Sequence, residues 1–219
     1  MPHAVVLSHD GVAHELGHVE PALESVGATI TRAYRERTDP LPDADILVVM
    51  GSPHSVATGH ENAASLAEID LVRHWVRAGR PYLGLCFGAQ VLARAAGGEV
   101  TRMAAPFHAY TRLDAPTTDA PEIVGPWTVW HEDALRAAPS SVVAGSLMHA
   151  DLAFRTGRAW GIQPHVEVTA DSFERMCVSL GATPAQYGPV VEALRSDAIA
   201  NERRAQVLLD WILADLLED

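Results

Sequence analysis

Two stretches of the chain hold side chains spaced for covalent chemistry. In PYLGLCFGAQ, residues 81–90, an apolar run ends in Cys86, with Gly84 two residues before it and Gly88 two after. That spacing matches a nucleophile elbow, in which a strand turns sharply into a helix with the reactive residue at the apex. Glycines at positions −2 and +2 let neighbouring backbone pass close by. The apex lies at the N-terminus of the following helix, where amides and dipole favour thiolate over thiol. The Phe87 amide points at the same spot and supplies one oxyanion donor. A lone cysteine is more often an inert core residue; the glycines and the strand–turn–helix context turn the reading toward a nucleophile. A thiolate nucleophile needs a base, and the base an orienter. In AWGIQPHVEV, residues 159–168, His165 and Glu167 are two apart in a strand-like run, where alternate residues share a face. Glu167 can then hold the His165 ring toward the thiol. The chain has 11 histidines, so an H-x-E pair alone says little.

HELGH, residues 14–18, satisfies the H-E-x-x-H zinc pattern. Zinc chemistry there needs both histidines on one helix face and a third ligand. Gly17 weakens such a helix, Pro21 fits the first turn of a helix that starts later, and no third ligand suggests itself. The segment is expected to be a loop, and no metal or other cofactor is expected. His54 and His60 flank a glycine loop and either line a pocket or are solvated. Cys177, in DSFERMCVSL, reads as an inert core cysteine.

The elements that must position these residues follow from periodicity. AVVLSH (4–9), ATITRAY (28–34), the end of LPDADILVVMG (41–51) and PYLGLC (81–86) read as buried strands. Helices are expected around 19–26, over 62–78 with Gly79 as the stop, and over 88–97 before Gly97–Gly98. Strand–helix alternation of this kind predicts an α/β fold: a mostly parallel central sheet with helices on both faces, in a flavodoxin-like three-layer arrangement. Residues 98–168 contain shorter strand-like pieces, GEVTRM, TVWHE, SVVAGSLM, LAFRTG and RAWGIQPHVEV. The last 50 or so residues look helical, with Ile199, Val207, Leu208, Trp211 and Ile212 as an expected core stripe. The organisation expected is one domain over 1–219, with a catalytic core at about 4–169 and a helical extension at 170–219.

Bulk properties exclude several classes. Acidic residues outnumber basic ones by 28 to 16, for a net charge of −12. That charge repels nucleic acid and anionic membranes, and neither is expected as a partner. Every one of the 16 basic residues is arginine, so no lysine serves as Schiff base or phosphate-loop cation. No apolar run is long enough to span a bilayer, and MPHAVVLSHDG has no secretory pattern. Two cysteines make no disulfide framework, and a cytoplasmic location is expected.

Together the motifs resemble the class I, triad-type glutamine amidotransferases. GLCFGAQ at 84–90 is similar to that family's nucleophile motif, GIQPHVEVT at 161–169 to its His–Glu motif, and VVMGSPHSV at 48–56 to its oxyanion loop. WHEDAL (130–135) and AFRTGRAWG (153–161) also resemble stand-alone members. The resemblance implies that Cys86 attacks the γ-carboxamide of glutamine, that His165 takes the thiol proton and later activates water, and that Glu167 orients His165. It implies an oxyanion hole from the amides of Phe87 and the Gly51–Ser52 loop, and a substrate pocket including Gln90, His131 and Asp133. Departures are Pro164 and Val166 beside the histidine, Ser52 for a glycine, and PFHAYTRLD (106–114) where the family has an acidic–x–Gly–aromatic pattern. Three readings follow: a glutaminase feeding ammonia to a partner synthase, a free-standing hydrolase of γ-glutamylated amines, or a catalytically silent binding module on the same fold.

Overall fold

The computed structural model describes residues 1–12, 14–37, 40–115, 119–148 and 150–218. The first half of the chain alternates as the periodicity requires: β1 (His3–Ser8), α1 (Val19–Ser25), β2 (Thr29–Tyr34), β3 (Ile46–Val49), α2 (Ala63–Arg77), β4 (Tyr82–Leu85) and α3 (Phe87–Ala96). Five strands follow: β5 (Glu99–Thr111), β6 (Trp127–Arg136), β7 (Val142–Leu147), β8 (Ala150–Arg155) and β9 (Ala159–Ile162). The chain then becomes helical, with α4 (Ala170–Ser179), α5 (Pro184–Ser196) and α6 (Ala198–Leu217).

Seven strands form one sheet in the order β2-β1-β3-β4-β9-β8-β7. The strands from β2 to β9 pair in parallel, and β8 and β7 add an antiparallel flank. A parallel sheet must be covered on both faces. Alternation along the strands does this: Val6, Val48 and Leu83 pack with Leu23 of α1 and Leu208 of α6, while Val5, Leu47 and Tyr82 pack with Val72 of α2 and Val91 of α3. The expected three-layer α/β architecture is therefore present. Among the described residues no helix is long and apolar enough to cross a membrane.

β5 and β6 form a separate antiparallel ribbon. β5 extends well beyond the GEVTRM piece, running on through Pro106 with a register shift between Arg102 and Phe107 that accommodates the missing N–H. Helices α4 and α5 pack as a third cluster against Val168, Tyr110 and Trp130. The Tyr110 hydroxyl donates to Asp197 at 2.6 Å, tying the ribbon to the α5–α6 junction.

Two expectations need correction. Regular strand over 159–168 ends at Ile162; the residues beyond it are irregular, and His165 is held by a single bridge to Thr128. Pro164 has no N–H with which to continue a ladder. In α6, Leu208 and Ile212 are buried, but Ile199 is 87% and Val207 39% exposed, because Ala205, Leu209 and Leu213 complete the inward face instead.

Candidate active site

Cys86 links β4 to α3 with φ 49° and ψ −103°, a strained conformation for a residue with a side chain. The flanking glycines explain how the chain tolerates it. A Cβ on Gly88 would run into the Val49 carbonyl of β3, and one on Gly84 into the Gly88 carbonyl. The elbow is packed against its own sheet, and the Tyr82 hydroxyl locks it by donating to the Gly88 carbonyl at 2.8 Å. Phe87 opens α3, so its amide lacks the i−4 acceptor that later residues have.

His165 and Glu167 arrive from the segment after β9. His165 Nδ1 lies 2.8 Å from Glu167 Oε1, and both side chains are 3% exposed. That bond places the ring proton on Nδ1 and directs Nε2 away from the carboxylate. Burial alone would depress the His165 pKa. The negative charges of Cys86 and Glu167, each with a hydrogen bond to the ring, outweigh it and hold His165 well above the usual histidine range. The Glu167 backbone is held in turn by the loop after β1. His18 N–H donates to its carbonyl at 2.8 Å, and a Cβ on Gly17, whose φ is +50°, would collide with that carbonyl.

HELGH is therefore a loop, ending where α1 begins at Val19. Glu15 is paired with Arg175 at 2.7 and 2.8 Å, and His18 is half-buried while His14 is exposed. A different trio comes together around His54 of the loop after β3, with His9 and Glu36. The His9 and His54 Nε2 atoms lie 3.3 and 4.0 Å from one Glu36 oxygen. His9 Nδ1 accepts the Gly11 and Val12 amides, so the proton of the neutral ring sits on Nε2, facing Glu36. This is a hydrogen-bonded arrangement; a metal would need that Nε2 lone pair free.

A cavity of about 270 Å³ opens over the thiol. Cys86, His165, Gln90, His131, Asp133 and Ser52 all border it. Gly51 lies just behind, its carbonyl turned to Arg35 at 3.2 Å. Gln90 donates to Gln163 at 3.2 Å, and Gln163 donates to Cys86 Sγ at 3.4 Å. Gln163 was not singled out in the sequence, although it stands within GIQPH. His131 Nδ1 donates to the Asp133 carbonyl at 2.9 Å, which leaves Nε2 as a buried acceptor without a protein partner among the described residues. Burial pushes His131 down to about 4, so the ring is neutral at ordinary pH. Both Asp133 carboxylate oxygens are occupied, by the Ser55 hydroxyl at 2.6 Å and by Arg102 at 3.2 Å.

The outer wall mixes aromatic, apolar and charged side chains. Trp130 stacks on His108, with ring centroids 3.3 Å apart, and Met176, Leu180 and Gly181 approach from the end of α4. Arg102 and Glu132, an ion pair on β5 and β6, stand on the same wall. Of the other flagged residues, His54 lines the cavity and His60 does not. Cys177 is fully buried in α4, where burial pushes its thiol up to about 12.

Comparison with known proteins shows the family and the fold. The family model for glutamine amidotransferase class-I matches residues 10–176. A glutamine-hydrolysing GMP synthase of Porphyromonas gingivalis is 30% identical over 144 residues, covering 62% of this chain and 27% of that protein. One from Mycobacterium marinum is 36% identical over 130 residues, covering 56% of this chain and 23% of that protein. The chain thus spans about a quarter of the length of these relatives. Crystal structures of glutamine amidotransferases from Thermotoga maritima and Methylobacillus flagellatus share the fold, each with a TM-score of 0.82. They are 18% and 21% identical, and the matches cover 100% of this chain and 99% and 96% of theirs.

Proposed function

The chain belongs to the glutamine amidotransferase class-I family, and we propose that it hydrolyses the γ-carboxamide of glutamine through Cys86, His165 and Glu167. The carrying observation is the strained cysteine at the mouth of a cavity shared with a histidine whose Nδ1 is bonded to a buried carboxylate. The Cys86 thiolate attacks the amide carbon, and the carbonyl oxygen becomes an oxyanion held by the Phe87 amide and the Gly51–Ser52 loop. The imidazolium of His165 gives its proton to the departing nitrogen, and ammonia leaves. Neutral His165 then takes a proton from water, which attacks the γ-glutamyl thioester; collapse of the second oxyanion releases glutamate and regenerates the thiolate. Glu167 keeps the ring in the required tautomer throughout. Arg102 and Glu132 present one charge of each sign, matching the zwitterionic end of glutamine. Gln90 acts by placing Gln163 beside the sulfur, Asp133 by holding the wall, and His131 by accepting a substrate N–H at Nε2. The ammonia passes to a synthase, by analogy with the relatives' names.

The outer wall favours a second reading. Trp130, His108, Met176 and Leu180 suit an amine larger than ammonia, which would make the substrate a γ-glutamyl amide. Intact mass after incubation with a glutamine-like chloroketone tests the shared chemistry. One adduct is expected on the wild type and none on Cys86→Ala; an unlabelled wild type would reopen the reading of a silent binding module. Turnover of glutamine against γ-glutamyl anilide then separates the two substrates.

A further inference from the structure

Arg35 follows directly on β2 and is nearly buried, its side chain 3% exposed against 5% for its partner Glu68 on α2. The pair is bidentate: Nε donates to Oε2 at 3.0 Å and Nη2 to Oε1 at 3.2 Å. The rest of the guanidinium is turned toward the loop after β3. Nη1 donates to the Gly51 carbonyl at 3.2 Å and Nη2 to the Met50 carbonyl at 3.3 Å. Its Cζ lies over the Phe87 ring, 4.8 Å from the centroid. One cation therefore touches both segments that would form an oxyanion hole.

We propose that Arg35, clamped by Glu68, is the positioning residue that presets the Gly51–Ser52 peptide, so that this half of the oxyanion hole is formed before substrate arrives. The inference rests on the hydrolase reading above and adds what prepares its hole. In a trans peptide the carbonyl and the following N–H point in opposite directions. Holding the Gly51 carbonyl against Arg35 therefore turns the Ser52 N–H the other way, and Ser52 borders the cavity over Cys86. A flipped peptide would aim the carbonyl at the developing negative charge and strip Nη1 of its acceptor in buried surroundings. The clamp also answers the change from glycine to serine at position 52: with less backbone freedom there, orientation is imposed from outside the loop. Stability alone is a poor reason for the pair, because a buried ion pair can often be replaced by apolar side chains without loss.

That replacement is the test. Arg35→Met combined with Glu68→Leu removes both charges and both carbonyl anchors while refilling the volume. The variant is expected to keep its circular dichroism and the iodoacetamide alkylation rate of Cys86, which needs no oxyanion hole. Its kcat on the better substrate should fall about 10²–10³-fold with KM little changed. If the double variant fails to fold, Arg35→Lys, which keeps a charge against Glu68 but loses the fork, is expected to show the same split between kcat and alkylation. A kcat within about twofold of wild type in a folded variant overturns the proposal. Crystal structures of wild type and variant judge the peptide independently of turnover. An unchanged Gly51 carbonyl direction in the variant overturns the role of Arg35. A wild type that hydrolyses neither substrate sinks the hydrolase reading instead.

Discussion

The elbow at Gly84–Gly88 and the HELGH segment at 14–18 both carry patterns associated with catalysis, and they end in opposite ways. The elbow pattern specifies its own backbone. Its glycines are needed because the turn is pressed against the β3 carbonyl and against itself, and Cys86 is strained as a direct result. H-E-x-x-H specifies only side chains and depends on a helix that Gly17 does not allow. That glycine is used instead to pass under the Glu167 carbonyl, and His18 contributes its amide more clearly than its ring. A motif is informative to the extent that its spacing dictates the local conformation; here the H-E-x-x-H stretch is a loop that supports the candidate site.

That contrast can be broken by mutation. The largest effect is expected from Glu167→Gln, which keeps the shape but loses the charge at the end of the chain of bonds: kcat should fall roughly 10²–10⁴-fold. Because the Glu167 charge is one of the causes holding the His165 pKa up, its removal lowers that pKa. The imidazolium is then lost at lower pH, and the alkaline limb of the pH–rate profile should move in that direction. An unmoved limb would mean that Glu167 does not tune His165. Next comes Gly17→Ala, in which a Cβ strikes the Glu167 carbonyl at a left-handed position. A loss of about 2 kcal/mol or more is expected in urea melts, together with reduced turnover; a neutral result would remove the scaffolding role of the loop. The smallest effect belongs to the motif's own ligand set. His14→Ala should leave kcat within about twofold and turnover insensitive to a zinc chelator, since His14 is exposed and borders a groove other than the one over Cys86.

Much of the sheet was legible because parallel strands are short apolar runs between helices of clear period, and the elbow because its glycines are local. The pairing of His165 with Glu167 was legible from spacing, although the regular strand invoked for it stops at Ile162. What could not be read came from long-range geometry. Nothing local to Arg35 or Glu68, 33 residues apart, marks them as a buried pair behind the oxyanion loop. Gln163 lies within GIQPH, just after β9, yet its place beside the sulfur depends on Gln90 arriving from α3. The exposure of Ile199 and Val207 shows the limit of periodicity: a helix with apolar residues on more than one side does not announce which side faces the core.

The turn between α4 and α5 has a wider consequence. The family match closes at residue 176, inside α4, but the wall of the cavity continues through Leu180 and Ala182 to Gln186. Cys86, His165 and most of the wall, Trp130 and His108 included, thus lie within the family match, and only the stretch from Leu180 to Gln186 lies beyond it. A change in the α4–α5 hairpin would therefore reshape one side of the cavity while leaving the elbow and the His165–Glu167 pair in place, much as a common tool takes an interchangeable jaw.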